Sequence, residues 1–272
     1  MAQNIAPSLD RSDDEISGLL NWSLPFAIVT TLMSLLVASL RLLELGSKAY
    51  LPLSSLIGVW HLLQTLAFIW HGQQSFSFFK SAKAFVNSGK QQFLGEAMGR
   101  LGNIWNAYAV ILFCSLMGAI TLVLDKNRTI SQTVSVSVLV SFLLTMILSM
   151  NLEKRRSFAG EKFKKELPPF ALLSVRRTRS LAFLSLGVGA IFIILYIFDF
   201  FPTSPLSSVA SLFCGLGYLL MGVFMGFYWR ALREIQRNPS WIYFERTLEK
   251  LNFYWLVVSC VGFPLIFISN II

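Results

Sequence analysis

Long apolar runs separated by short polar segments dominate this sequence. Seven runs are each long enough for one crossing, and they lie at 24–45, 51–70, 104–124, 130–152, 181–201, 206–229 and 251–272. A helix needs about 20 apolar residues to cross the hydrocarbon core of a bilayer. The pattern therefore predicts an all-α fold, a polytopic integral membrane helix bundle with seven transmembrane helices.

The first 23 residues differ from the rest because they are polar and acidic. They lack the basic start and apolar run of a cleaved secretory signal, so residues 1–23 are expected to stay as an N-terminal tail. Residues 24–272 are expected to form a single transmembrane domain, since the connecting segments are too short to hold a separate soluble domain.

The composition agrees with a membrane environment. Hydrophobic side chains make up 55% of the chain, charged ones make up only 14%, and the mean hydropathy is +0.63. A soluble globular protein of this size has far more charge.

The basic residues predict the orientation of the chain. Of the 23 lysines and arginines, 18 fall in the segments 71–103, 153–180 and 230–250. Basic connections are retained in the cytoplasm, so the N-terminus is expected inside and the C-terminus outside. A plasma membrane of the bacterial type is the expected location, and an organelle membrane is the alternative. The net charge of +9 follows from the same pattern, so no nucleic-acid partner is expected.

Two cytoplasmic segments carry further information. In the first, at about 76–90, apolar side chains recur with helical spacing and predict an amphipathic helix; they are Phe78, Phe79, Ala82, Phe85 and Val86. This helix either lies in the inner membrane interface or packs on the protein's own spans. The second segment, the basic loop 153–180, either contacts anionic lipids at the cytoplasmic face or only sets the topology.

A few polar side chains fall inside the apolar runs and are the candidates for a pathway. His61, Gln64 and Thr65 lie on the second run, and Ser137, Ser141 and Thr145 belong to a ladder of hydroxyls on the fourth. His61 is either a functional ionisable group or a neutral, hydrogen-bonded imidazole. The hydroxyl ladder either lines a narrow polar path or bonds its own helix backbone. His71 is expected at the cytoplasmic interface.

Small residues on the sixth run predict a tight helix contact, since close backbone approach replaces hydrophobic exclusion in lipid. They are Ser211, Gly215, Gly222 and Gly226. The neighbouring helix belongs either to the same chain or to a second protomer of a homo-oligomer. Near the outer ends of the runs, Arg41, Glu44 and Asp199 form a candidate ion pair or triad.

The inventory of reactive residues argues against several kinds of chemistry. The chain has two histidines and three cysteines, and it has no HExxH, Walker or GxSxG motif. No metal site, no cofactor and no catalytic constellation is expected. Two functions remain. One is a passive or weakly coupled channel or transporter for a small solute or ion. The other is a non-catalytic scaffold, assembly or anchoring subunit of a membrane protein complex.

Overall fold

A computed structural model describes residues 8–47, 56–124, 175–197, 205–237 and 241–271. This part of the chain is helical throughout except for a short turn at 89–90. The helices are α1 Ser8–Ser47, α2 Leu56–Ser88, α3 Gln91–Leu124, α4 Val175–Ile197, α5 Pro205–Arg237, α6 Trp241–Val257 and α7 Phe263–Ile271. A π-helical turn, Val258–Gly262, joins α6 to α7 in one rod.

Within the described residues, five helical stretches are long and apolar enough to cross a membrane. They are Glu15–Leu43, Gln92–Gly118, Thr178–Ile197, Val209–Ile235 and Ile242–Ile268. The protein is therefore an all-helical, multi-pass membrane protein. Helix α2 is not one of the five, although it packs between α1 and α3 along its length. Its polar residues explain the low hydropathy; they are His61, Gln64, His71, Gln73 and Gln74.

The first three helices form an up-and-down group. Arg41 pairs with His61 and Ser34 pairs with His71, so α1 and α2 are antiparallel. Gln64 bonds to Ser115 near one end of α2, and Asn103 bonds to Gln74 further along, so α2 and α3 are antiparallel as well.

The second group of helices closes onto the first. Backbone contacts between Gly189 and Gly215 and between Ala182 and Gly222 make α4 and α5 antiparallel. Helix α5 in turn runs antiparallel to the rod of α6 and α7. That rod runs parallel to α1, because Asn252 bonds to Leu19 while Ser259, further along, bonds to Phe26.

These directions have a consequence for the segment between the two groups. Helices α3 and α4 point the same way, so residue 124 and residue 175 lie at opposite ends of the bundle. The apolar run 130–152 and the basic loop 153–180 that the sequence predicts there fall outside the described residues, apart from the start of α4.

One end of the bundle is basic. All lysines and arginines of the described helices except Arg41 lie in the half nearer the start of α1. We call this the basic end, and we call the end nearer Arg41 the opposite end.

The segment 76–90 is neither a helix on the lipid surface nor a separate element. Residues 76–88 are the last turns of α2, which continues without a break to Ser88. Phe78, Ala82 and Phe85 are fully buried in the core of the bundle. The apolar stripe therefore faces the protein's own helices, which is the second of the two interpretations the sequence allowed. Gly89 ends α2 with a φ of 64°, a left-handed conformation that favours glycine.

The π-helical turn in the last rod has a local cause. Pro264 lacks the backbone N–H that an α-helix requires, and its ring would crowd the preceding turn. The N–H of Phe263 bonds to the Val258 carbonyl instead, which widens the helix at this point. Ser259, inside the widened turn, is buried and lies 2.8 Å from the hydroxyl of Thr30 on α1.

Candidate functional site

The candidate site begins with Arg41 of α1 and His61 of α2, which we call the basic pair. Nη1 of Arg41 lies 2.7 Å from Nδ1 of His61, and both side chains are half-buried. A guanidinium group can only donate hydrogen bonds, so Nδ1 of His61 accepts and the imidazole is neutral, with its proton on Nε2. Arg41 lies within the apolar stretch Glu15–Leu43.

One turn along α2 from His61, a second polar group starts. Nε2 of Gln64 donates to the Ser115 hydroxyl of α3 at 2.6 Å. The same hydroxyl lies 2.7 Å from the phenol oxygen of Tyr218 on α5 and 2.9 Å from the Ile111 carbonyl. Gln64, Ser115 and Tyr218 are all buried.

The network continues from Tyr218 to α4. The Ser185 hydroxyl donates to the Tyr218 carbonyl at 2.7 Å, and the phenol oxygen of Tyr108 lies 2.7 Å from the Ser185 hydroxyl. Buried polar groups thus connect α2, α3, α5 and α4. We call Gln64, Ser115, Tyr218, Ser185 and Tyr108 the hydroxyl network.

A single arrangement of protons satisfies every hydroxyl in this network. Ser115 donates to the Ile111 carbonyl and accepts from Gln64 and Tyr218, while Ser185 donates to the Tyr218 carbonyl and accepts from Tyr108. A fully bonded network of this kind holds helices in fixed register. Its side chains contact one another directly, so the network is part of the packed interior of the bundle.

A third polar contact lies near the middle of α1. Nδ1 of His71 is 3.0 Å from the Ser34 hydroxyl, and the imidazole packs edge-on against Phe263 with ring centroids 5.3 Å apart. His71 is only 1% exposed. The sequence prediction of an interfacial His71 therefore differs from the structure, because α2 extends well beyond residue 70 and carries His71 into the bundle.

The sequence did not reveal the α1 hydroxyls that form hydrogen bonds with His71 and Ser259. Ser23, Thr30 and Ser34 are fully buried on one face of α1. Their spacing of seven and four residues is the helical period of a single face. That stripe was visible in the sequence and marks the side of α1 that contacts the other helices.

Nε of Arg41 is buried and has no acceptor among the described residues. The same is true of Nε1 of Trp60, whose ring packs against Phe113 of α3. A buried donor without an acceptor costs free energy, about 1–3 kcal/mol.

The half of the bundle towards the basic end has a different interior. Trp105 contacts Tyr228 and Tyr254 at centroid distances of 5.9 and 5.0 Å, and Phe78 stacks on Trp255 at 5.7 Å. All five are buried. We call them the aromatic cluster. It fills the space between the helices with packed rings.

The remaining predicted site residues are distributed as follows. Thr65 is buried and donates to the His61 carbonyl of its own helix at 2.7 Å. The hydroxyls Ser137, Ser141 and Thr145 fall outside the described residues. So do Asp199 and the side chain of Glu44, and the ion pair with Arg41 stays a prediction.

The small residues of α5 are not equivalent. Ser211 is buried, and a Cβ added at Gly215 or Gly222 would lie 2.8 or 2.9 Å from the nearest atom of α4. A Cβ added at Gly226 would have no neighbour within 4 Å. The close contact of α5 is therefore with α4 of the same chain, and it ends before Gly226.

Neither metal nor disulfide chemistry is evident in the described helices. No group of three or more histidine, cysteine, aspartate or glutamate side chains is placed there to hold a metal ion. Cys114, Cys214 and Cys260 are free thiols.

No family model matches the chain, and no curated protein or solved structure gives a significant match.

Proposed function

We propose that the protein is a membrane transport protein, passive or weakly coupled, for a small anionic solute. Its binding position is at Arg41 and His61. The observation that supports this most strongly is the half-buried Arg41 guanidinium near the end of an apolar span, bonded to a neutral imidazole and with a buried, unpartnered Nε. An arginine that is held between helices instead of reaching the membrane interface is costly, and such a residue is a candidate for a solute or ion site.

The surrounding groups support an anion rather than a cation. The Arg41 guanidinium carries a positive charge and offers a buried Nε–H without an acceptor in the described structure. A cationic hydrogen-bond donor favours a ligand with acceptor oxygens or halide character. The proposal involves no covalent chemistry, in keeping with the expectation that the protein is not an enzyme.

The proposed topology has seven crossings with the N-terminus in the cytoplasm. The basic end is then cytoplasmic, as the positive-inside rule requires. Support for an odd number comes from the parallel course of α1 and the last rod, and from residues 124 and 175 lying at opposite ends of the bundle. The binding position is then in the outer half of the membrane, and a bacterial-type plasma membrane is its proposed location.

Flux into liposomes tests the proposal. Purified protein is reconstituted and assayed with chloride, nitrate, acetate and phosphate, with sodium and glycerol as solutes that should not be carried. We expect uptake of at least one anion above that of empty vesicles, a loss of this uptake in Arg41→Gln, and a partial loss in His61→Ala. Ser39→Ala is the matched control on α1, since its hydroxyl is exposed and bonds only to the Leu35 carbonyl.

Two outcomes would overturn the proposal: anion uptake no greater than that of empty vesicles, or uptake by Arg41→Gln equal to that of the unchanged protein. Selective uptake of sodium would refute the anionic part alone.

The aromatic cluster favours a second function, that of a scaffold or assembly subunit in a membrane complex. A path through the bundle would have to pass Trp105, Tyr254 and Trp255, which are fully buried and in ring contact. A static, tightly packed bundle suits a structural role. A stoichiometric partner retained in mild detergent, together with no flux, would favour this second function; a homo-oligomer with flux would favour the first.

A further inference from the structure

The surface between α4 and α5 carries an open groove that faces away from the helix bundle. Its volume is about 290 Å³, and its walls are almost entirely apolar. Its lining includes Leu186 and Phe183 of α4 and Gly222 and Phe227 of α5, with Trp229 and Arg230 nearer the basic end. Phe183 and Phe227 are 58% and 46% exposed, so the groove is open to whatever surrounds the bundle.

The groove exists because the close contact between α4 and α5 ends at Gly226. At Gly222, an added Cβ would lie 2.9 Å from Leu186 N, so the two backbones touch there. At Gly226, four residues further on, the same atom would have no neighbour within 4 Å. The two helices therefore diverge towards the basic end and leave a slot.

Arginines gather where the slot reaches the basic end. Arg230 lines it directly. Arg179 on α4 lies over the rings of Phe183 and Trp229, at 5.8 and 5.6 Å from their centroids, and Arg233 lies 6.0 Å from the centroid of Trp229. Trp229 is thus held between cations of both helices, a position typical of the membrane interface. Glu234, exposed one turn after Arg230, is the nearest acidic residue along α5.

We propose that this groove is a binding site for one anionic phospholipid of the leaflet at the basic end. An acyl chain lies in the slot along Leu186, Gly222 and Gly226, and the phosphate of the headgroup contacts Arg230 and Arg179. From Gly222 to Arg230 the helix rises about 12 Å, which is close to the thickness of one hydrocarbon leaflet.

The occupant is inferred from the charges and the dimensions. A zwitterionic lipid brings a phosphate whose charge its own ammonium group offsets, whereas an anionic lipid brings a net negative charge to the arginines. Each basic residue near the surface adds about 1 kcal/mol of attraction to an anionic lipid. A partner helix would need a groove along the full length of α4 and α5. From Gly222 towards the opposite end, however, the two helices are in contact. This inference goes beyond the proposed transport function and does not depend on it.

The test compares lipid retention by purified protein in native mass spectrometry. The probes are phosphatidylglycerol, phosphatidylcholine of the same acyl chains, and glycerol phosphate, which carries the phosphate but no acyl chain. We expect phosphatidylglycerol to be retained in preference to phosphatidylcholine, and glycerol phosphate not to compete. Arg230→Gln and Arg179→Gln should each reduce the preference about fivefold.

Gly226→Leu tests the acyl slot separately. The leucine side chain occupies the slot, and its Cβ would have no neighbour within 4 Å at Gly226. We expect retention of phosphatidylglycerol to fall to the background level. Gly187→Leu is the matched control, because Gly187 is exposed on α4, has equally open space and does not line the groove.

Several outcomes would overturn the proposal. Unchanged retention in Gly226→Leu or equal retention of the two lipids would do so. An equal loss in Gly187→Leu would show a general effect of added bulk, and competition by glycerol phosphate would show a site for soluble phosphate instead. Circular dichroism of each variant verifies that the helices are intact.

Discussion

The contact between α4 and α5 and the contacts among α1, α2 and α3 hold antiparallel helices together in different ways. Gly189, Gly215 and Gly222 bring the backbones of α4 and α5 together, with apolar side chains packed directly against the glycines. One polar side chain, Ser185, also bonds across to the Tyr218 carbonyl. Between the first three helices, polar side chains reach across, as in Arg41 with His61 and Gln64 with Ser115. We call these the glycine contact and the polar contacts.

The difference has a physical meaning for a protein in lipid. Lipid tails are as apolar as leucine, so helices associate through close packing or through interhelical hydrogen bonds. A backbone contact tolerates no added atom, whereas a hydrogen bond between helices in membranes contributes about 0.6 kcal/mol and at most about 1.7. The glycine contact should therefore be sensitive to volume, and the polar contacts should be sensitive to the loss of a partner.

The largest expected effect is on the glycine contact. Gly215→Leu places side-chain atoms where Ile193 and the Gly189 carbonyl already lie, at 2.8 and 2.9 Å from the first added carbon. We expect a loss of unfolding free energy of about 3 kcal/mol or more, because overpacking here must separate two backbones. Unfolding in mixed detergent micelles measures it. Gly187→Leu should be nearly neutral, and equal losses in the two variants would contradict the steric account.

A smaller effect is expected in the hydroxyl network. Ser115→Ala removes the acceptor of both Gln64 and Tyr218, so two buried donors lose their partner. We expect a loss of about 1–2 kcal/mol in the same unfolding measurement. The control is Ser39→Ala, whose hydroxyl bonds only its own helix on an exposed face. If Ser115→Ala were as stable as this control, the network would not be a stabilising contact.

The smallest effect concerns Ser34 and His71, a single interhelical hydrogen bond of 3.0 Å. A double-mutant cycle with Ser34→Ala and His71→Ala isolates the coupling from the cavity that each substitution leaves. We expect a coupling free energy of about 0.6 kcal/mol. A value above about 2 kcal/mol would mean that the polar contacts are as strong as the glycine contact, which would contradict the expected difference between them.

The sequence predicts the helical class and the membrane environment well, since both depend on long apolar runs. It predicts less well where helices end. The run 51–70 suggested a helix that stops near His71, but α2 continues to Ser88 because Phe78, Ala82 and Phe85 find partners in the core. Apolar periodicity alone does not distinguish a stripe that faces lipid from one that faces another helix.

The candidate site was predictable only in part. His61 and Gln64 stood out as polar groups inside an apolar run, but their partners Arg41 and Ser115 are 20 and 51 residues away in the chain. Tyr108 and Tyr218 gave no signal in the sequence, because a tyrosine is common in membrane helices and only its neighbours make it part of a network. Pairings of this kind depend on helix order and register, which a single sequence does not specify.

The parallel packing of α1 against the rod of α6 and α7 bears on how the protein is made. The Thr30 and Ser259 hydroxyls that meet there are 229 residues apart. During synthesis, Thr30 of α1 has no access to this partner until nearly all the intervening chain has been translated and inserted. Biogenesis of this bundle therefore ends with a late step in which the rod of α6 and α7 docks onto α1.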